Sequence, residues 1–327
     1  MNNRMPVDIP ATNLFEEQYF KILEQRTKTS TQRSLGFDCL DRMIHSPASM
    51  HEITIIAGES GTGKSMFSLA MELELLKKQT CVVKLLPEMG LGRNHDRFMS
   101  MLTGRVTKDL NKFLLRDQNL QLTIKQELSK FSDMTRRYYP NDDRRISVET
   151  LPVYIEKAKR YFKESEVLPE DEYMIVFIDL LSLLEGWGTS APEIESSLAK
   201  LNMIIGNLPI HVVGIIQTNE SNSRDRRKNP TDVKEVYLKL QNIKNSSAYK
   251  ERARDVFILN RPKILSEHYD LSYLENHDFI DVSLEKSNDG VTGSEKFIFN
   301  SNDGLKIYPK DEPKVFEHDD FPVTKDF

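Results

Sequence analysis

Apolar and polar residues along this chain fall into two alternating patterns. Five short runs, at 53–57, 81–86, 173–178, 211–217 and 255–259, are apolar almost throughout. Each has the length of a strand, and unbroken apolar character marks strands covered on both faces. Between and after them, residues 64–77, 121–132, 149–164, 191–205 and 233–245 repeat apolar positions at helical spacing. Strand and helix alternate from Ile53 onward, so the expected fold class is α/β: a mostly parallel central sheet with helices on both faces. Residues 279–299 alternate apolar and polar around Ser287-Asn288-Asp289-Gly290, and Asp-Gly in that setting predicts a C-terminal β-hairpin.

Two segments stand outside this pattern. Residues 13–27 carry Leu14, Phe15, Tyr19, Phe20, Ile22 and Leu23 in the stripe of an amphipathic helix. That helix either packs on its own domain or docks on a neighbouring subunit. The tail from Lys310 is polar and acidic and is expected to be disordered. The expected organisation is a segment 1–33 with the leading helix, an α/β domain over 34–309, and an acidic tail over 310–327.

Composition narrows the class. The chain has 327 residues, enough for one large domain or two small ones, with a formal net charge of -5. It has no run of 18 apolar residues and no apolar core near its start, so neither a membrane span nor a secretory signal is expected. The two cysteines, Cys39 and Cys81, make no spacing pattern, which fits a reducing cytoplasm. The charge argues against a protein that is basic all over, and it leaves room for a local basic channel for nucleic acid.

The strongest chemical signal follows the first strand. Gly58-Glu59-Ser60-Gly61-Thr62-Gly63-Lys64-Ser65 is a G-x-x-x-x-G-K-[ST] phosphate loop placed between a strand and a helix. Its glycines let consecutive N–H groups turn inward toward phosphate oxygens, and the helix aims its positive end at them. Lys64 is expected to reach the β- and γ-phosphates of ATP and the Ser65 hydroxyl to hold Mg2+. Asp179, at the end of a buried strand, is placed to complete the Mg2+ shell. Glu88, after the second strand, suits a general base acting on water. Gln217, at the end of the fourth, suits a γ-phosphate sensor.

Two loops suggest a DNA-binding face. Residues 220–231 carry Arg224, Arg226, Arg227 and Lys228 among small polar residues, which fits contact with a phosphate backbone or a plain solvated loop. Trp187, the single tryptophan, lies between Gly186 and Gly188, either as an exposed ring for stacking on a base or as a core anchor.

Together these pieces resemble the ATPase domain of DnaB-type replicative helicases, which has the RecA-like fold. The resemblance runs from about Ser34 to Tyr308. Leu35-Gly36-Phe37-Asp38-Cys39-Leu40-Asp41-Arg42-Met43 is similar to the family's "TGF..LDRM" segment, and Gly58 to Ser65 to its Walker A loop. Leu86-Pro87-Glu88-Met89 is similar to "SLEM", which carries the family's catalytic glutamate. Ile178-Asp179-Leu180-Leu181-Ser182-Leu183 is similar to "IDYLQL", and Ile216-Gln217-Thr218-Asn219 to "SQLN". Residues 255–262 are similar to "ADVVLFLHRP", and residues 286–293 to the hairpin "KQRNGPTG".

The resemblance implies an ATP-dependent DNA helicase, a homo-oligomer that is typically a hexameric ring. It implies ATP hydrolysed at subunit interfaces, single-stranded DNA in the pore, and a leading helix docked on the adjacent subunit. It also implies that Lys286 reaches the neighbour's nucleotide. The family's hairpin arginine is Asn288 here, with Arg261 and Arg254 as substitutes to consider, and the arginine after "SQLN" is Glu220. The family's amino-terminal primase-binding domain has no counterpart, as in a version carried by a phage or mobile element in a host cytoplasm. The acidic, aromatic-tipped tail resembles tails that recruit a polymerase, a primase or a single-strand binding protein; a plain solubilising tail is the other reading. Two other functions fit the same motifs: a RecA-like recombination or annealing ATPase on single strands, and a nucleotide-gated loader or scaffold of the replisome.

Overall fold

In the computed structural model, the residues described are 33–44, 48–104, 126, 129–218, 230–243, 246–268, 278–288, 292–300 and 305–311. A short helix α1 (Asp38–Ile44) leads into β1 (Glu52–Gly58), α2 (Lys64–Lys77), β2 (Cys81–Leu85) and α3 (Leu91–Thr103). A five-residue helix α4 (Ser132–Arg136), β3 (Tyr138–Asn141), α5 (Leu151–Glu164), β4 (Met174–Asp179), α6 (Ala191–Ile205) and β5 (Ile210–Gln217) follow. The last part holds α7 (Ser246–Arg252), β6 (Asp255–Asn260), α8 (Pro262–His268), β7 (Phe279–Ser287), β8 (Gly293–Asn300) and β9 (Lys306–Pro309).

The nine strands form one sheet in the order β3-β2-β4-β5-β1-β6-β7-β8-β9. The six strands from β3 to β6 run parallel, and β7, β8 and β9 add on antiparallel. All six residues of β4 and of β6 are buried, as strands packed on both faces require. One apolar cluster joins the sheet to Ile155 of α5, Leu198 of α6 and Tyr249 of α7. The other joins the opposite face to Leu40 of α1, Phe67 of α2 and Phe98 of α3. This is the expected α/β architecture, with helices on both faces of a mostly parallel sheet and a C-terminal hairpin.

One element differs from the sequence pattern. Val233, Val236, Leu240 and Ile243 are spaced for a helix over 233–245. Residues 233–243 instead make two single 3-10 turns, Val233–Val236 and Leu240–Asn242, with extended backbone between them. The side-chain amide of Asn260 accepts from Leu238 N at 2.7 Å and donates to Leu238 O at 3.1 Å. A tertiary partner thus takes the backbone groups that a helical turn would have used. The expected helices 13–27 and, for the most part, 121–132 lie outside the described residues, as does the tail beyond Asp311.

Candidate functional site

The phosphate loop leaves β1 at Gly58 and enters α2 at Lys64. Gly61 has φ 80° and Gly63 φ 93°, both in the left-handed region that only glycine occupies without strain. At Gly58 it is space that matters, since a Cβ there would lie 2.8 Å from Thr62 Oγ1 and 3.1 Å from Leu259 O. The loop is closed on the carbonyl of Glu59. Thr62 Oγ1 donates to it at 2.9 Å and Lys64 Nζ at 2.6 Å.

Lys64 is buried, and burial pulls its ammonium down to about 8, against the opposing pull of Asp179 and Glu88. Those two carboxylates therefore share one electrostatic environment with Lys64, although they come from β4 and from the turn after β2. Asp179 is 2% exposed, and among the described residues neither of its carboxylate oxygens has a hydrogen-bond partner. A buried carboxylate with open lone pairs fits a divalent cation. The described residues contain no group of three or more His, Cys, Asp or Glu side chains able to hold a metal alone. That fits Mg2+, which is commonly held by one carboxylate, a hydroxyl such as that of Ser65, and the nucleotide's own phosphates. Glu88 is exposed beside the cleft, as a base that must reach water needs to be.

Gln217 ends β5 in register with Gly58 on β1. The next residue, Thr218, donates its backbone N–H to Gly58 O at 3.1 Å. The basic residues Arg224, Arg226, Arg227 and Lys228 follow within 219–229, outside the described residues. Trp187 corrects one expectation. It is 7% exposed and belongs to the apolar cluster of Leu184, Ile194 and Tyr249, so no exposed indole is offered to a base.

The hairpin lies at the other end of the sheet. Lys286 pairs in register with Val256, which sits opposite Ile55 on β1. Three residues of strand, roughly 10 Å, then separate it along β1 from Gly58. Lys286 Nζ donates to the carbonyl of Arg254 at 2.8 Å, and also to Ala253 O and Asn288 Oδ1. Burial holds the Lys286 ammonium below the ordinary lysine value. Arg254 is 8% exposed and paired with Glu52, with Asp255 at 3.4 Å. Arg261 lies instead beside its own phosphate loop. Its Nη1 donates to Gly61 O at 3.4 Å, its Nε to Asp278 Oδ1 at 2.8 Å, and its guanidinium stands 4.4 Å from the Phe299 ring centre.

Several residues at the site belong to no motif in the sequence. Arg97 on α3 is half-buried and responds to the charges of Asp179 and Glu88; burial lowers its pKa against their pull. Lys84, in the middle of β2, and Glu72, on α2, form a fully buried ion pair at 2.6 Å. Their signals in the sequence are a lysine inside an apolar strand and a Ser68–Glu72 spacing of four on the helix.

Known proteins share this architecture. The family model of the DnaB-like helicase C terminal domain matches residues 34–304. A solved helicase-type ATPase domain is similar in structure, with a TM-score of 0.66 and 20% identity, covering 88% of this chain and 96% of that one. A DnaB-like replicative helicase, described with its interactions with primase, is also similar, with a TM-score of 0.65 and 19% identity, covering 93% of this chain and 67% of that one. Comparison with curated protein sequences gives no significant match.

Proposed function

This chain belongs to the DnaB-like helicases, through their C-terminal domain, and from that premise we propose that it is an ATP-driven DNA helicase. On this reading it is a homo-oligomer, a ring of six, that moves along single-stranded DNA and hydrolyses ATP at its subunit interfaces. The observation that carries the reading is the convergence of Lys64, Asp179 and Glu88 at the carboxyl ends of β1, β4 and β2. A nucleotide-binding scaffold needs the lysine but has no use for a buried, unpartnered carboxylate and an exposed base beside it.

Each residue has a distinct task. The N–H groups of residues 58–65 and the Lys64 ammonium bind the phosphates. Ser65 and Asp179 would hold Mg2+, which neutralises charge on the transferring phosphoryl group. Glu88 accepts the proton of the attacking water. Gln217 responds to the γ-phosphate, and through Thr218 the change passes into the segment that holds Arg224, Arg226, Arg227 and Lys228. Those four residues contact the DNA backbone. Lys286 serves the nucleotide of the next subunit, because it lies far from its own. The acidic tail recruits a replication partner such as a polymerase, primase or single-strand binding protein.

A strand-displacement assay with a forked duplex tests this function. The proposal expects ATP-dependent release of the labelled strand that is lost in Glu88→Gln. ATP turnover without displacement would favour a recombination or annealing ATPase instead.

A further inference from the structure

Beneath the phosphate loop lies a buried polar chain with no part in the scheme above. Lys84 is 1% exposed, and its Nζ donates to Glu72 Oε1 and to Ser68 Oγ, both at 2.6 Å. The same ammonium stands 3.8 Å from Asp179 Oδ2. Tyr138 donates to the second Glu72 oxygen at 3.1 Å and accepts from Asn94 Nδ2 at 3.0 Å.

Packing does not explain this arrangement. Moving two charges out of water is costly, and an apolar pair of the same volume often stabilises a fold equally well or better. What an apolar pair cannot supply is a cation beside Asp179. Among the described residues, Lys84 makes the one ion-pair contact to that carboxylate. Two carboxylates therefore face a single ammonium from opposite sides, one at 2.6 Å and the other at 3.8 Å. A side-chain shift on the order of 1 Å, within ordinary rotamer adjustment, would exchange them.

We infer that Lys84 is a positioning residue for the metal site, an internal counter-ion that holds Asp179 while no divalent cation is present and retreats onto Glu72 when one arrives. This rests on the reading of Asp179 as a metal-holding carboxylate. The consequence is electrostatic. The charge of Lys84 opposes a free divalent ion at Asp179, and Glu72 screens that opposition. The metal is then favoured only when it comes with the phosphates of a nucleotide.

The test is Mn2+ binding to the full chain without nucleotide, followed by electron paramagnetic resonance. Four proteins are compared: wild type, Glu72→Gln, the double variant Lys84→Met/Glu72→Gln, and Asp179→Asn. The double variant removes both charges together, so no uncompensated ion is left buried. Folding of each protein is checked by thermal melting and by binding of a fluorescent ADP. Glu72→Gln strips the screen from Lys84 and is expected to weaken Mn2+ binding by about tenfold or more, and the double variant to restore it to wild-type strength or tighter. If the double variant does not fold, wild type against Glu72→Gln alone decides the question. Equal affinity in wild type, Glu72→Gln and the double variant, or no binding in any of them, overturns the inference. Binding that survives unchanged in Asp179→Asn overturns the metal-site reading itself.

Discussion

Gly58 and Gln217 are register partners across the β1–β5 ladder, so the first residue of the phosphate loop and the last residue of β5 share one rung. The bond from Thr218 N to Gly58 O continues that rung into the following segment. A displacement of the loop on gain or loss of the γ-phosphate is thereby delivered to the basic residues 224–228. Gln217→Ala is expected to leave nucleotide affinity near that of wild type and to cut the stimulation of turnover by single-stranded DNA about tenfold, the usual size of a coupling between two sites. Steady-state turnover at several DNA concentrations, set beside nucleotide binding, checks this.

Lys64 gives a pH dependence with a definite sign. Burial holds its ammonium at about 8 in the unliganded protein. Below that pH the lysine is already charged and ready for phosphate. Above it, binding must first take up a proton, so affinity falls by up to about tenfold per pH unit. Lys64→Met is expected to bind weakly throughout and to show no such slope. The same shift affects folding. A lysine whose folded pKa lies below its unfolded value disfavours the fold at low pH, and that penalty is relieved as pH rises above about 8. Fluorescent-nucleotide titrations between about pH 7 and 10 measure the binding limb.

Trp187 belongs to the core. Its removal as Trp187→Ala is expected to cost about 3–5 kcal/mol of stability, the range for deleting a buried aromatic ring. Trp187→Phe keeps most of the packing and is expected to leave affinity for single-stranded DNA unchanged. A specific loss of DNA affinity in a fully folded Trp187→Phe protein would return the indole to the DNA-binding face.

Lys286 can be tested by mixing subunits. It lies at the far end of the sheet from its own phosphate loop, bonded to the carbonyls of Ala253 and Arg254. If it serves a neighbour, Lys286→Ala lowers turnover about tenfold or more. Lys64→Ala subunits, inactive alone, then restore turnover when mixed with it, because some interfaces combine an intact Lys286 with an intact Lys64. Mixtures no more active than the two variants separately would place its action within one subunit.

The parts of this fold that are legible in the sequence are those dictated by local physics. Met174-Ile175-Val176-Phe177-Ile178 can only be a strand covered on both faces, and Gly58 to Ser65 can bend only where a strand meets a helix. Elements governed by distant partners are not legible. The edge strand β3 reads Tyr-Tyr-Pro-Asn, a turn by composition, and it forms because an edge position tolerates Pro140 while β2 supplies the ladder. Residues 233–243 depart from their helical spacing because the amide of Asn260 outcompetes helical hydrogen bonds. The site divides in the same way. The phosphate loop and Asp179 announce themselves, whereas Lys84 and Glu72 are twelve residues apart and meet only once α2 has folded onto β2. Arg254 and Arg261 look equally available in the sequence. Folding commits one to Glu52 and the other to Asp278 and the loop carbonyl of Gly61.

The most direct test of the central claim is steady-state ATP turnover with and without single-stranded DNA, with Lys64→Ala alongside. The account predicts strong stimulation by DNA that the variant loses, showing a nucleotide site and a DNA-binding face that work as one motor despite Asn288 in the hairpin. Turnover at the variant's level, with DNA or without it, would contradict it.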